Sequence, residues 1–118
     1  SSDLLEWFAV IGAGSVVPAK KPAPDIYRYV LDHLGLPPAA CVAFEDSGPG
    51  VASARGAGLP VVVTVSDFTR GHDFDGADLV LDSLGAPGQP FGVLAGDAGG
   101  RQWVDLELIR AVHARRAA

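Results

Sequence analysis

Short apolar runs separated by turns rich in glycine and proline set the pattern of this chain. The clearest run, Pro60 to Val65, is β-branched and apolar on both faces, which is typical of a central strand in a parallel sheet. Another run begins at Cys41 and ends abruptly in two carboxylates, Glu45 and Asp46. The pattern predicts four strands, at residues 7–11, 41–45, 60–65 and 77–82.

Apolar residues recur at helical spacing between these strands. One helix is predicted for about residues 24–34, because Gly35 ends it and the prolines that follow cannot continue it. A second helix is predicted for about residues 49–57, where small residues would allow it to lie close to a sheet. The alternation of strands and helices predicts an α/β fold built on a doubly wound, Rossmann-like parallel sheet.

The last third of the chain gives weaker signals. Glycine and proline dominate residues 85–101, which are predicted to form a loop. Residues 104–116 are predicted to form a terminal helix whose apolar face consists of Leu106, Ile109, Val112 and His113. We interpret residues 1–118 as a single domain in which the segment 85–118 has no assigned role.

Composition narrows the class of protein. A hydrophobic fraction of 48% excludes a disordered chain, and the net charge of −5 argues against a nucleic-acid partner. No apolar stretch reaches the roughly 18 residues of a membrane span, and no leader is expected, because the opening residues lack a charged-then-apolar pattern. The single cysteine, Cys41, cannot form a disulfide within the chain and is interpreted as a core residue. A reducing, cytoplasmic location is therefore expected.

The turn after the second strand is the main candidate site. Glu45 and Asp46 stand at the carboxyl end of a strand, the edge at which open α/β sheets bind ligands. Ser47 and Pro49 then predict a helix start, with a capping hydroxyl and a proline in the first turn. Free amide groups at such a start attract anions. The alternative interpretation is a solvated strand-end turn without a ligand.

Two motifs resemble those of a known family. Lys21-Pro22-Ala23-Pro24-Asp25-Ile26-Tyr27 stands about twenty residues before Phe44-Glu45-Asp46-Ser47, and the pair is similar to the third and fourth motifs of the haloacid dehalogenase-like (HAD-like) phosphohydrolases. Residues 66–85 are similar to the CbbY-type sugar-phosphate phosphatases of that superfamily. The resemblance covers roughly residues 7–85.

The resemblance implies a chemistry and a set of residues. In this family an aspartate on the first core strand accepts the phosphoryl group, and Mg²⁺ bridges that aspartate and the phosphate. Asp46 would be a metal ligand, and Glu45 would bind the metal directly or through water. Lys21 would be the catalytic lysine that neutralises the phosphoryl oxygens. Lys21 and Ser47 are the residues expected to bind the phosphate of a small phosphorylated substrate.

The chain departs from the family pattern in one major respect. No Asp-x-Asp-Gly nucleophile motif precedes Lys21. The segment Asp73-Phe74-Asp75-Gly76 has that spelling, but it follows Gly71-His72 instead of an apolar strand and would require a permuted fold. We interpret it as a coincidental match, because strand geometry cannot place a loop aspartate against Asp46. The chain is therefore expected to be the C-terminal part of a HAD-like core, without a cap domain and inactive alone.

Several functions stay open at this point. For the CbbY-type branch the implied substrate is xylulose 1,5-bisphosphate. A sugar phosphomutase of the β-phosphoglucomutase type shares both motifs, and a non-catalytic α/β binding or assembly domain is a third interpretation. Thr69 and Arg70 lie in a loop that could reach a sugar phosphate. An open sheet edge is expected beside residues 41–45 or beside the neighbouring strand, which could lead to self-association.

Overall fold

The sheet runs through the molecule with its strands in sequence order. The computed structural model describes residues 8–11 and 25–117. Within these residues a five-stranded sheet has the order β1-β2-β3-β4-β5. The strands are β1 (Phe8–Ile11), β2 (Cys41–Glu45), β3 (Val61–Thr64), β4 (Leu79–Leu81) and β5 (Val93–Gly96). The first four are parallel, and β5 pairs with β4 in the antiparallel direction.

Helices cover both faces of this sheet. The described helices are α1 (Asp25–Leu34), α2 (Gly48–Gly56) and α3 (Leu106–Ala117), with a 3₁₀ turn at Pro38–Ala40 before β2. Alternate residues of a strand point to opposite faces. Ala43 of β2 accordingly packs in one apolar cluster with side chains of α1 and α2, whereas its neighbour Val42 packs in a second cluster with side chains of α3.

Local sequence explains where α1 ends and where α2 begins. The Ser47 hydroxyl accepts a hydrogen bond from the amide of Gly50, 3.1 Å away, and so caps α2. Gly35 follows α1 with a φ of +67°, a conformation that glycine adopts without strain. Ser53 and Ala54, both fully buried, keep α2 close to the sheet. These features hold the start of α2 directly over the end of β2.

The predicted fold class is confirmed, including all four predicted strands and all three predicted helices. The central position of residues 60–65 is also confirmed, because β3 lies between β2 and β4 and Val61, Val62 and Val63 are at most 1% exposed. Cys41 is fully buried in the core, in agreement with its interpretation as a core residue.

Two sequence expectations are wrong. The predicted loop 85–101 contains β5. Its four residues are too few to show an alternating pattern of apolar and polar side chains between the surrounding glycines. The expected open edge lies at the neighbour of 41–45, because β1 pairs along β2 from Phe8↔Cys41 to Ile11↔Phe44 and is itself the edge strand among the described strands. In α3 Val112 is buried as predicted, but Leu108 also reaches the core and the predicted Leu106 is 45% exposed.

Candidate functional site

The two acids at the end of β2 occupy different environments. Glu45 shares its face of β2 with Cys41 and Ala43, so its side chain points toward α1 and α2 and is only 6% exposed. Asp46 has left the strand and is exposed. A carboxylate that is held within the protein and one that faces solvent therefore follow each other at the same sheet edge.

Glu45 is held by a side chain from the preceding helix. Tyr27, in the first turn of α1 and fully buried, donates a hydrogen bond from its hydroxyl to Oε2 of Glu45. Burial of a carboxylate is costly unless hydrogen bonds replace its lost hydration. This bond therefore ties the start of α1 to the end of β2, across 18 residues of sequence.

Gly50 lies against the same carboxylate. An ideal Cβ atom built at Gly50 would overlap Oε1 of Glu45 and its Cδ, so no other residue fits there without a shift. The Glu45 side chain thus occupies the space between α1 and the first turn of α2. The absence of a side chain at Gly50 is what allows α2 to start this close to the strand end.

The amide groups of the first turn of α2 are occupied. The Gly48 amide donates to Nδ1 of His72 at 3.0 Å, the Gly50 amide donates to Ser47 Oγ, and the Val51 amide donates to the Ser47 carbonyl. Pro49 has no amide hydrogen. The expectation of free amides at this helix start is therefore wrong, because a distant loop and the cap residue use them.

That loop, residues 65–78 between β3 and β4, passes over the start of α2. A Cβ atom at Gly48 would lie 2.8 Å from the carbonyl oxygen of Asp73, so loop and helix meet at closest packing. The segment that spells Asp-x-Asp-Gly follows no strand, and Asp73 accepts a hydrogen bond from the Asp75 amide in its own turn. As expected, no strand places this segment against Asp46, although tertiary packing brings the Asp73 carbonyl close to Gly48.

Two cavities flank this loop. One, of about 580 Å³, lies at the start of α2 and is lined by Gly48, Pro49, Ala52, His72, Asp73 and Asp75. The other, of about 830 Å³, lies over β4 and β5 and has Arg70 and Asp82 in its wall. Arg70 pairs with Asp67 at 3.0 Å, and the Thr69 hydroxyl lies 3.0 Å from both the amide and the hydroxyl of Ser66. Both side chains are thus engaged within their own turn.

The candidate site is only partly covered by the structure. Glu45, Asp46 and Ser47 lie together at the carboxyl edge, whereas Lys21 lies outside the described residues, so its assignment stays a prediction. Among residues 8–11 and 25–117, no group of three or more His, Cys, Asp or Glu side chains could hold a metal ion. In the same part of the chain, no helix is both long and apolar enough to cross a membrane.

Sequence reasoning missed three residues of this site. The sequence identifies Tyr27 only as the last residue of the first motif, although a buried tyrosine hydroxyl needs a hydrogen-bond partner and could have pointed to Glu45. Gly50 is visible in the sequence only as a second glycine near a predicted helix start. The need for glycine there comes from the Glu45 side chain, which packs against it in the folded structure. His72 has no local signal, because its partner Gly48 is 24 residues away.

Comparison with known proteins agrees with the motifs. Residues 2–58 match the family model of the haloacid dehalogenase-like hydrolases. The chain is 61% identical over 79 residues to protein CbbY of Rhodobacter capsulatus, covering 67% of this chain and 35% of that protein. It is 46% identical over 106 residues to the plasmid-encoded protein CbbY of Cupriavidus necator, covering 90% of this chain and 41% of that protein.

Solved structures give the same result for the fold. Crystal structures of CbbY from Rhodobacter sphaeroides, one with phosphate and one of a mutant with xylulose-(1,5)bisphosphate, match with a TM-score of 0.58 and 51% identity. Each match covers 63% of this chain and 33% of the other. The chain thus spans about a third to two fifths of the length of the relatives it matches. With both motifs, the sheet and these relatives in agreement, the chain belongs to the haloacid dehalogenase-like hydrolase family.

Proposed function

We propose that this chain is part of a Mg²⁺-dependent phosphohydrolase that acts on a small sugar phosphate. The enzyme forms an aspartyl-phosphate on a nucleophile that this chain does not contain. Within the 118 residues the only Asp-x-Asp-Gly is Asp73–Gly76, which lies in a loop. The chain contributes the carboxylates that bind the metal and the catalytic lysine.

The donor set at the end of β2 is suited to a hard cation. Asp46 offers an exposed carboxylate, and Mg²⁺ prefers a few carboxylate oxygens together with water. Glu45 is 6% exposed and accepts a hydrogen bond from Tyr27, and we assign it to the metal site either directly or through water. When bound, Mg²⁺ neutralises charge on the phosphate and orients it for displacement.

The other roles belong to residues that contact the phosphate. Ser47 uses its oxygen to accept the Gly50 amide, and its hydroxyl hydrogen is then available to a phosphoryl oxygen. Lys21 supplies an ammonium group that offsets the charge developing on the phosphoryl group. Together Asp46, Ser47 and Lys21 bind and orient the phosphate against the nucleophile supplied by the rest of the enzyme.

The hydrogen bond between Tyr27 and Glu45 is the observation that carries this proposal. Tyr27 belongs to the Lys-Pro-Ala-Pro-Asp-Ile-Tyr motif, and Glu45 belongs to the Phe-Glu-Asp-Ser motif. A contact between the two motifs at the carboxyl edge of the sheet is what a shared site requires. It supports the assignment of Lys21, which stands six residues before Tyr27 in the sequence.

The relatives support a proposal for the substrate class. The CbbY structure from Rhodobacter sphaeroides was obtained with xylulose-(1,5)bisphosphate, and it is 51% identical to the matched part of this chain. We therefore propose a ketose bisphosphate of this type as the substrate of the whole enzyme. Selection among sugar phosphates would depend on parts of the enzyme outside the matched region.

A Mg²⁺ titration of the 118-residue chain, followed by NMR, tests the metal assignment. Weak binding in about the millimolar range is expected, since few protein ligands are present, and Asp46→Ala should abolish it. Asp32→Ala, at an exposed position on α1, is the matched control and should bind as the unmodified chain does. Binding that survives Asp46→Ala would remove Asp46 from the site.

An activity assay tests the role of the missing nucleophile. The isolated chain should release no phosphate from xylulose 1,5-bisphosphate, whereas the enzyme that contains an upstream Asp-x-Asp-Gly strand should release it and lose activity in Lys21→Ala. Turnover by the 118 residues alone would contradict the proposal that the nucleophile lies elsewhere.

A further inference from the structure

The loop after β3 makes a specific polar contact with the candidate site. His72 Nδ1 accepts a hydrogen bond from the Gly48 amide at 3.0 Å, in an exposed position. The neighbouring Asp73 carbonyl lies so close that a Cβ atom at Gly48 would be 2.8 Å from it. Because Gly48 lacks a side chain, the loop can approach the helix closely enough for this bond to form.

Gly48 is the first residue of α2 and stands two residues after Asp46. The Asp46 turn is therefore held at both ends, by the Tyr27 bond to Glu45 before it and by the His72 bond to Gly48 after it. The direction of the Asp46 carboxylate depends on the backbone of this turn. Outer contacts that orient a metal-binding carboxylate affect metal affinity without touching the metal.

We propose that His72 is a positioning residue for the phosphohydrolase site: by accepting the Gly48 amide it holds the turn that carries Asp46 and docks the β3–β4 loop on α2. This inference rests on the proposed function, because it assigns His72 to the metal site proposed there. The ring does not touch the phosphate or the metal. It acts through the backbone between Asp46 and Gly48.

The hydrogen bond from Gly48 requires Nδ1 of the His72 imidazole to act as an acceptor. An acceptor at Nδ1 must be unprotonated, so the neutral ring carries its hydrogen on Nε2. The charged groups that share its cavity are Asp73 and Asp75 from the same loop, while α2 presents Gly48, Pro49 and Ala52, which do not titrate. Asparagine offers an acceptor oxygen at about the same distance from the backbone as Nδ1, so it can replace this function without an imidazole.

Two substitutions of His72 in the 118-residue chain separate positioning from packing. His72→Phe keeps an aromatic ring and removes the acceptor, whereas His72→Asn restores an acceptor. Mg²⁺ alone is the probe, and hydrogen exchange of the Gly48 amide reports on the contact itself. We expect His72→Phe to weaken Mg²⁺ binding about tenfold, the lower end of the range for outer contacts of metal sites. His72→Asn should bind Mg²⁺ and protect the Gly48 amide as the unmodified chain does.

The outcomes distinguish this inference from the function on which it rests. If Asp46→Ala leaves Mg²⁺ binding unchanged, the metal site itself is wrong. If Asp46→Ala abolishes binding but His72→Phe binds normally, the positioning role is overturned. It is also overturned if His72→Asn is folded by circular dichroism, protects the Gly48 amide and still binds as weakly as His72→Phe.

Discussion

The hydroxyl of Tyr27 donates a hydrogen bond to the carboxylate of Glu45, and both side chains are buried. This contact joins the first turn of α1 to the last residue of β2 and brings two motifs of the family to one edge of the sheet. It also gives the paired acids different tasks. Glu45 anchors the packing of α1 and α2, and Asp46 is the carboxylate that faces solvent.

Tyr27→Phe removes only the hydroxyl and should destabilise the chain. The buried Glu45 carboxylate loses that donor, and loss of a hydrogen bond to a buried charged group costs about 1–3 kcal/mol. Urea denaturation followed by circular dichroism measures the difference. Tyr29→Phe, on the same helix and 41% exposed, is the control and should unfold at the same midpoint as the unmodified chain. Equal midpoints for both variants would argue against a stabilising bond.

Gly50→Ala should also destabilise the folded chain, although replacing glycine by alanine in a helix usually stabilises it. Alanine in a helix is normally favoured over glycine by about 1 kcal/mol, but here the added methyl group overlaps the Glu45 carboxylate. Overpacking of this kind typically costs about 1–3 kcal/mol. The same denaturation assay applies, with Gly71→Ala as a control because no heavy atom lies within 4 Å of a Cβ there.

A double-mutant cycle checks the cause of that effect. If overlap with Glu45 is responsible, Gly50→Ala should cost less in a Glu45→Ala background than in the unmodified chain. Additive losses would instead place the strain elsewhere in the first turn of α2.

The stabilisation that Asp105 provides at the start of α3 should be lost in acid. The hydrogen bond from the Arg101 side chain lowers the pKa of Asp105, and the Leu108 amide, which donates to the same carboxylate at 2.9 Å, lowers it further. A folded-state pKa below the unfolded value means that Asp105 adds stability above about pH 4, and this contribution is lost as the pH falls through the folded-state pKa.

Asp105→Asn isolates this carboxylate, since asparagine can still accept the Leu108 amide. The urea midpoint of the unmodified chain should fall more steeply between about pH 6 and pH 3 than that of Asp105→Asn. Asp32→Asn, at an exposed position, should retain the steeper dependence. Parallel pH profiles for the unmodified chain and Asp105→Asn would show that the Arg101 pair does not contribute.

The β5 edge should mediate self-association. Among the described strands β5 pairs only with β4, and Val93 and Leu94 are 44% and 59% exposed. An uncharged edge strand of this kind offers unpaired backbone groups to another strand. Sedimentation velocity should detect association that increases with concentration and is lost in Leu94→Lys. Leu84→Lys, at a residue 52% exposed outside the sheet, is the control, and loss of association in both variants would point to net charge instead.

Much of the fold could be predicted because its signals are local. The β-branched run 60–65 and the capping pair Ser47 and Pro49 each specify an element through neighbours within a few residues. β5 was missed because Val93–Gly96 is short and exposed and gains its strand geometry from pairing with β4. Its formation is thus decided by register with another strand.

By itself, the sequence determined the order of the four parallel strands and three helices, the family and the position of two acids at a strand end. Only the tertiary structure decided that Glu45 turns inward to Tyr27, that Gly50 makes room for it, and that His72 occupies the Gly48 amide. The physical reason is the sequence separation over which each kind of interaction acts. Periodicity and capping act between close neighbours, whereas these contacts join residues brought together by parallel strand register and by the packing of α1, α2 and a loop at one sheet edge.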